Sequence, residues 1–232
     1  MKYLSADNLK SLEPSRFRSQ RPFPWANPPG LVSEEGMREL RDNLPDLSLF
    51  KRSFDKPRKH GQKSHDRYSL RYHEGLQIPE PWQGFIDELK GEEYAQFLRT
   101  TLGVRNFSLS FFWFFTPGGC SVSPHCDHAN KIGAHLFYLN TEDDWQPGWG
   151  GETLILEPER RLKRASAPEF EDFATITAGK TTGTHSLLFK RTRNSWHGVK
   201  EIACPEGHMR KVFMVSIQHT NVLARLYHLV AA

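Results

Sequence analysis

With 232 residues, 38% of them apolar and 25% charged, the protein has an ordinary globular composition, long enough for one sizeable core and with nothing that reads as disordered. A formal net charge of +4 is small for this length and does not by itself imply a nucleic-acid partner. Three cysteines are too few for a disulfide framework, no apolar run approaches membrane-spanning length, and the first residues lack an apolar leader, so a cytoplasmic location without a membrane partner is expected.

Residues 13–30 carry five prolines, together with Arg16, Arg18, Arg21 and the pair Phe23 and Trp25, and read as an irregular surface strap. Ser33 then caps a helix: Glu34 and Glu35 sit at the positive end of its dipole, Met37, Leu40 and Leu44 share a face, and Pro45 closes it. From 51 to 73 there are eight Lys or Arg against two Asp, with three histidines among them. Stretch 51–64 has no apolar periodicity and reads as a solvated loop, with a basic wall for an anionic substrate or nucleic acid as the alternative. Residues 66–73 alternate apolar and polar, the pattern of a half-buried strand, and place Arg67 and Arg71 on one face as candidate substrate contacts. A helix over 79–89 buries Phe85, Ile86 and Leu89; Gly91 interrupts it before a second helix with Phe97, Leu98 and Leu102, and Gly103 falls where a left-handed cap belongs. Both helices are expected to cover one face of a sheet.

After Arg105 the pattern changes to short strands, expected at 106–115, 121–127, 132–140, 152–157, 173–178, 184–190, 195–202 and 211–220. Eight strands separated by turn signals point to a mainly β fold with flanking helices, a sandwich or jelly roll. The expectation is a single domain over 1–232, with an arm and supporting helices at 1–104, the β core at 105–220 and an extension at 221–232. Two longer connections, 141–151 with Trp145 and Trp149 and 158–172 with mixed charges, are places where a β scaffold can hold substrate.

The chemistry begins at Ser123-Pro124-His125-Cys126-Asp127. In an extended segment residues i and i+2 project from one face, so His125 and Asp127 can address one metal ion. The third ligand is chosen among His185, His197, His208, His219 and His228, with His185 the strongest rival. His197 is preferred because Gly198 leaves room beside it, Ser195 and Trp196 suit a strand end, and Arg210 heads the next apolar strand. Two histidines and one carboxylate leave positions open on the metal, the arrangement of non-heme Fe(II) oxygenases. The guanidinium of Arg210 can grip a carboxylate with two parallel hydrogen bonds, while Lys211 points to the other face. Cys120, Cys126 and His128 raise a structural zinc site, but the six-residue spacing of the cysteines, with no second pair, argues against it.

From 107 to 220 the chain resembles the prolyl-4-hydroxylase-like 2-oxoglutarate/Fe(II)-dependent dioxygenases, a family with a double-stranded β-helix core of the jelly-roll type. The resemblance is carried by Pro124-His125-Cys126-Asp127, Leu136-Phe137-Tyr138-Leu139-Asn140, Gly150-Gly151-Glu152-Thr153, Ser195-Trp196-His197-Gly198-Val199 and Arg210, in that order. It implies that His125, Asp127 and His197 bind Fe(II) and form the catalytic centre, that Arg210 holds the distal carboxylate of 2-oxoglutarate, and that Tyr138 adds a hydroxyl to that carboxylate. Fe(II), 2-oxoglutarate and O2 are thus the implied cofactor set, with ascorbate as an optional addition. The implied reaction is hydroxylation with release of succinate and CO2, on a peptidyl proline or a small metabolite. One position departs from the family: Phe115, ten residues before His125, stands where several relatives have a tyrosine that contacts the cosubstrate. The alternatives are a nucleic-acid-directed oxidative demethylase of the same cofactor class and a non-catalytic jelly-roll binding module; the oligomeric state stays open.

Overall fold

The computed structural model describes residues 1–58, 61–163 and 165–220. Lys59, His60, Arg164 and the expected extension 221–232, with His228, lie outside the described residues.

Four long strands form the middle of a seven-stranded antiparallel sheet: β4 (Ser108–Pro117), β6 (Lys131–Tyr138), β9 (Ser186–Lys190) and β11 (Met209–Gln218). β11 is the spine, paired with β4 from Met209↔Pro117 to Gln218↔Ser108 and with β6 on its other side. Its two faces are both apolar because both are covered. Phe213, Val215 and Ile217 point to the helices, while Val212 and Met214 point inward with Arg210. A second sheet of four antiparallel strands, in the order β5 (Val122–His125), β10 (Trp196–Val199), β7 (Leu154–Pro158) and β8 (Phe173–Ala178), completes the jelly roll.

Three helices found from sequence support the large sheet. α3 (Glu34–Asp42) starts at Ser33, whose hydroxyl accepts from Gly36 N at 3.1 Å. α4 (Glu80–Lys90) buries Trp82, Phe85, Ile86 and Leu89 completely, and α5 (Glu92–Leu102) ends at Gly103 with φ +64°. Trp82 lies 5.2 Å from Trp113 and 4.9 Å from Phe213, and Phe85 lies 5.4 Å from Phe137. Each such ring removed from water stabilises the fold by about 1.5–3 kcal/mol. No helix among the described residues is long and apolar enough to cross a membrane.

The N-terminal third is more ordered than its sequence suggests. The strap contains α1 (Ala6–Ser11), α2 (Pro14–Ser19) and a short edge strand β1 (Trp25–Ala26) that pairs with Phe189 and Leu188 of β9. Pro14 begins α2 instead of breaking it, since a first-turn proline gives up an N–H that has no helical partner anyway. The supposed loop 51–64 opens with β2 (Lys51–Ser53), which pairs with β3 (Arg67–Arg71), and β3 extends the large sheet beside β4. Periodicity cannot reveal a strand of three residues. The eight strands expected after Arg105 are present as eight elements from β4 to β11, and the strand expected at 66–73 is β3. Only the short β1 and β2 are additions, making eleven among the described residues.

Candidate metal and cosubstrate site

The strands β5 and β10 bring the ligand candidates together. His125 and His197 are opposite one another in the antiparallel ladder, with ring centroids 4.4 Å apart. β5 ends at His125, so Asp127 does not share its strand as expected but returns from the following loop. One donor atom from each of the three residues lies within 4.8 Å of the others. Among the described residues no other group of three His, Cys, Asp or Glu side chains converges in this way.

Backbone carbonyls fix both imidazoles. Nδ1 of His125 lies 2.9 Å from Ser123 O, and Nδ1 of His197 lies 3.0 Å from Ser195 O. A carbonyl only accepts, so each Nδ1 carries the hydrogen and each Nε2 keeps a bare lone pair for a metal. Burial lowers both imidazoles, His125 to about 3 with repulsion from His197 adding to the effect, and so keeps them neutral. Burial alone raises the Asp127 carboxyl, but Lys131 and then the two imidazoles outweigh it and leave it at about 2. Lys131 donates to Asp127 Oδ1 at 2.9 Å, whereas Oδ2 is buried with no hydrogen-bond partner. An orphaned carboxylate oxygen beside two aimed imidazole lone pairs is a donor set that fits a divalent metal.

In the same cavity of about 320 Å³, between the two sheets, stands Arg210. It is 7% exposed; its Nε donates to Gly151 O and its Nη2 to Thr153 Oγ1 at 3.0 Å. Its guanidinium lies 5.7 Å from the ring of Tyr138, whose hydroxyl is buried and, by hydrogen-bond geometry, unpartnered. Lys211 points to the opposite face, onto Asp144 at 2.7 Å, as alternation requires.

Other expectations need correction. Phe115 is not at the cavity: it packs on Phe50 at 4.5 Å on the helix side, and the inner row of β4 carries Phe112, Phe114 and Thr116. Counting ten residues back from His125 ignores the turn after Pro117, which sets the parity, so the hydroxyl on this row belongs to Thr116. Trp145 and Trp149 do not line the cavity either. Trp145 is buried with Val199, Ile202 and Cys204, donates to Gly150 O at 2.9 Å, and stacks edge-on against Trp149. Both tryptophans fasten the loop to the β core. Arg67 does line the cavity, whereas Arg71 is exposed over Phe112 outside it. His185 binds Thr182 O in a turn away from the cavity, His208 rests on Trp149, and Cys126 packs beside Leu156 and Trp196, apart from Cys120.

The structure adds His65, whose Nε2 lies 3.1 Å from Ser123 Oγ and whose ring lies 4.9 Å from that of His125. Burial first, then His125 and nearby arginines, hold its pKa down at about 2. It stands two residues before Arg67 in an extended segment, which is the one signal in the sequence that puts it on the same face.

Two antiparallel sheets closing over such a cavity make a jelly roll. No protein-family model and no curated protein matches the chain by sequence. Solved structures do. A Pseudomonas putida prolyl-4-hydroxylase is 14% identical, with 93% of this chain and 99% of that one covered and a TM-score of 0.59. The non-heme alpha-ketoglutarate-dependent carbocyclase SnoK from nogalamycin biosynthesis is 12% identical, with 94% and 87% covered and a TM-score of 0.63. HygX from Streptomyces hygroscopicus, solved with nickel and 2-oxoglutarate, is 12% identical, with 84% and 83% covered and a TM-score of 0.56. At these identities the likeness establishes the fold, as the motif order implied.

Proposed function

We propose that the protein is a 2-oxoglutarate- and Fe(II)-dependent dioxygenase that hydroxylates a substrate C–H bond. One observation carries this reading: the His125, Asp127 and His197 donors and the buried Arg210 open into the same cavity. In this reading the three donors hold Fe(II), and Arg210, with Thr153 and Tyr138 beside it, takes the distal carboxylate of 2-oxoglutarate. Iron and 2-oxoglutarate supply the oxidising chemistry with O2, and succinate and CO2 are released. The protein's own part is geometric. Ser123 and Ser195 aim the imidazoles, Lys131 occupies one oxygen of Asp127 so that the other is free, and Phe189, Val212 and Met214 keep the reaction space dry.

The test is anaerobic addition of Fe(II) and then 2-oxoglutarate, reading the visible metal-to-ligand charge-transfer band. Wild type and His185→Ala are expected to form the band and His197→Ala to lack it. A band that survives loss of His197 but not of His185 would overturn the ligand assignment, and no band in wild type would sink the dioxygenase reading. Ascorbate is included only in aerobic turnover assays, as a reductant.

A further inference from the structure

The cavity is lined by four cations, Arg58, Arg67, Lys131 and Arg210, against a single carboxylate, Asp127. Two of the four have assigned partners: Lys131 is paired with Asp127, and Arg210 is the grip for 2-oxoglutarate. Arg67 and Arg58 remain. Arg67 is half-buried with its guanidinium 4.0 Å from the face of Phe114, and among the described residues no carboxylate pairs with it and no hydrogen bond ends on it. Burial first, then repulsion from Arg58 and Arg210, outweigh a weaker attraction from Asp127 and pull its pKa down to about 10, so it stays charged at neutral pH. Arg58 stands at the exposed rim with a long hydrogen bond to Gln62 at 3.4 Å, and the carboxylate that attracts it, Asp127, is already paired with Lys131. A charge taken partly out of water without a counter-ion of its own costs free energy, and an anion between Arg67 and Arg58 would offset it.

That anion is not the cosubstrate's. Arg210 pairs with Thr116 on β4, and Tyr68↔Phe115 sets Arg67 in the same cross-strand row on the far side of β4. Two strand spacings separate the arginine backbones by roughly 10 Å, enough for a second, distinct site. Phe114 supplies an apolar, π-rich floor under Arg67, Thr116 lies between the two arginines, and neutral His65 adds a polar contact without adding charge. A volume of about 320 Å³ is at the low end for a small-molecule site and must also hold a dicarboxylate cosubstrate, so the second ligand is compact.

We propose that Arg67, assisted by Arg58, forms a second anion site that grips a carboxylate or phosphate of the substrate, making the substrate a small acid and not a peptidyl proline. The proposal rests on the dioxygenase reading for what Arg210 holds, but its test does not need turnover. Acetate, methyl phosphate and neutral acetamide are titrated calorimetrically into the anaerobic protein loaded with Fe(II) and 2-oxoglutarate. Saturable binding of acetate, of methyl phosphate or of both is expected, with none for acetamide; which anion binds tells carboxylate from phosphate. Arg67→Met is expected to weaken that binding at least tenfold, and Arg67→Lys to recover part of it. Neither anion saturating, or Arg67→Met binding the anions like wild type, overturns the proposal. So does loss of the charge-transfer band in Arg67→Met, which would give Arg67 to the cosubstrate. A wild type without any band fails the dioxygenase reading instead, and the anion titration still reads the Arg67 site by itself.

Discussion

His125 and His197 face each other directly across the β5–β10 ladder, so the geometry of these candidate metal donors depends on how closely two short strands approach. Gly198 sets that approach. A Cβ at Gly198 would stand 2.7 Å from Val122 O and 3.1 Å from the ring of Phe170, so any side chain there must push β5 away from β10. Gly198→Ala is therefore expected to lower affinity for a divalent metal by roughly ten- to a hundredfold, the scale seen when groups that orient metal ligands are disturbed. Calorimetric titration with Co(II) checks this. Wild-type affinity in the variant would show that the strands can part without moving His197.

Lys131 and Asp127 divide the carboxylate between them. With Oδ1 tied to the ammonium, Asp127 has a single oxygen left for a metal. Lys131→Met removes the group that does most to hold the Asp127 pKa down and frees the carboxylate to rotate. The expected outcome is a metal affinity lower by about tenfold at pH 7, with a steeper loss at pH 5 than in wild type. Lys131→Arg should recover most of it, because the charge returns to the same oxygen. Equal affinity for Lys131→Met and wild type at both pH values would make the ion pair a surface ornament.

Arg210 and Gly151 are a second coupled pair. The arginine donates to the glycine's carbonyl, and Gly151 has φ +90°, with an added Cβ falling 3.2 Å from Arg210 Cδ and 3.1 Å from Trp145. Gly151→Ala is expected to destabilise the fold by about 1–2 kcal/mol through the left-handed backbone alone. It should also displace the guanidinium. Arg210→Met is expected to weaken 2-oxoglutarate by at least about 30-fold, since removing one partner of a buried charge pair costs about 2 kcal/mol or more. Arg210→Lys should not rescue it, because an ammonium cannot keep Gly151 O, Thr153 Oγ1 and a carboxylate at once. Fe(II) affinity without 2-oxoglutarate should be unchanged in both Arg210 variants. Cosubstrate titrations read by the charge-transfer band decide the matter.

The convergence of His125, Asp127, His197 and Arg210 on one cavity is legible in the sequence, because metal chemistry restricts both residue type and order, and the long alternating strands mark the scaffold. The failures have physical causes. Spacing puts Asp127 on the strand of His125, whereas β5 ends at His125, because spacing cannot show where a strand ends. Trp145 and Trp149 read as substrate contacts because nothing local tells a loop that lines a mouth from one that folds back through left-handed Gly150 and Gly151. Arg67 and Arg71 have the same alternation, and only the closure of the cavity separates the one inside from the one outside. Arg58 sits in a stretch without periodicity and His65 just before the alternating residues 66–73, so their place at the cavity follows from β2–β3 pairing, a tertiary event.

Away from the metal donors, His135 sets part of the protein's response to acid. It is fully buried on β6, with Nδ1 2.9 Å from Tyr94 Oη and Nε2 3.0 Å from Ser186 Oγ, and burial lowers its pKa to about 3. An unfolded histidine titrates near 6.5, so between about 3 and 6.5 the unfolded chain binds a proton that the native protein refuses. Stability contributed by this group is complete above pH 6.5 and falls as the pH drops through that window, by about 1.4 kcal/mol per pH unit. His65 and His125, also held near 2 and 3, add slopes of the same sign. Urea unfolding of the metal-free protein at pH 7, 6 and 5 should show a steep loss of stability. His135→Gln keeps a hydrogen-bonding side chain between Tyr94 and Ser186 but carries no titrating proton. It is expected to be less stable than wild type at pH 7 while losing about 1.4 kcal/mol less per pH unit on acidification, so that the two curves converge toward pH 5. Parallel curves would mean that His135 takes up its proton in the native state.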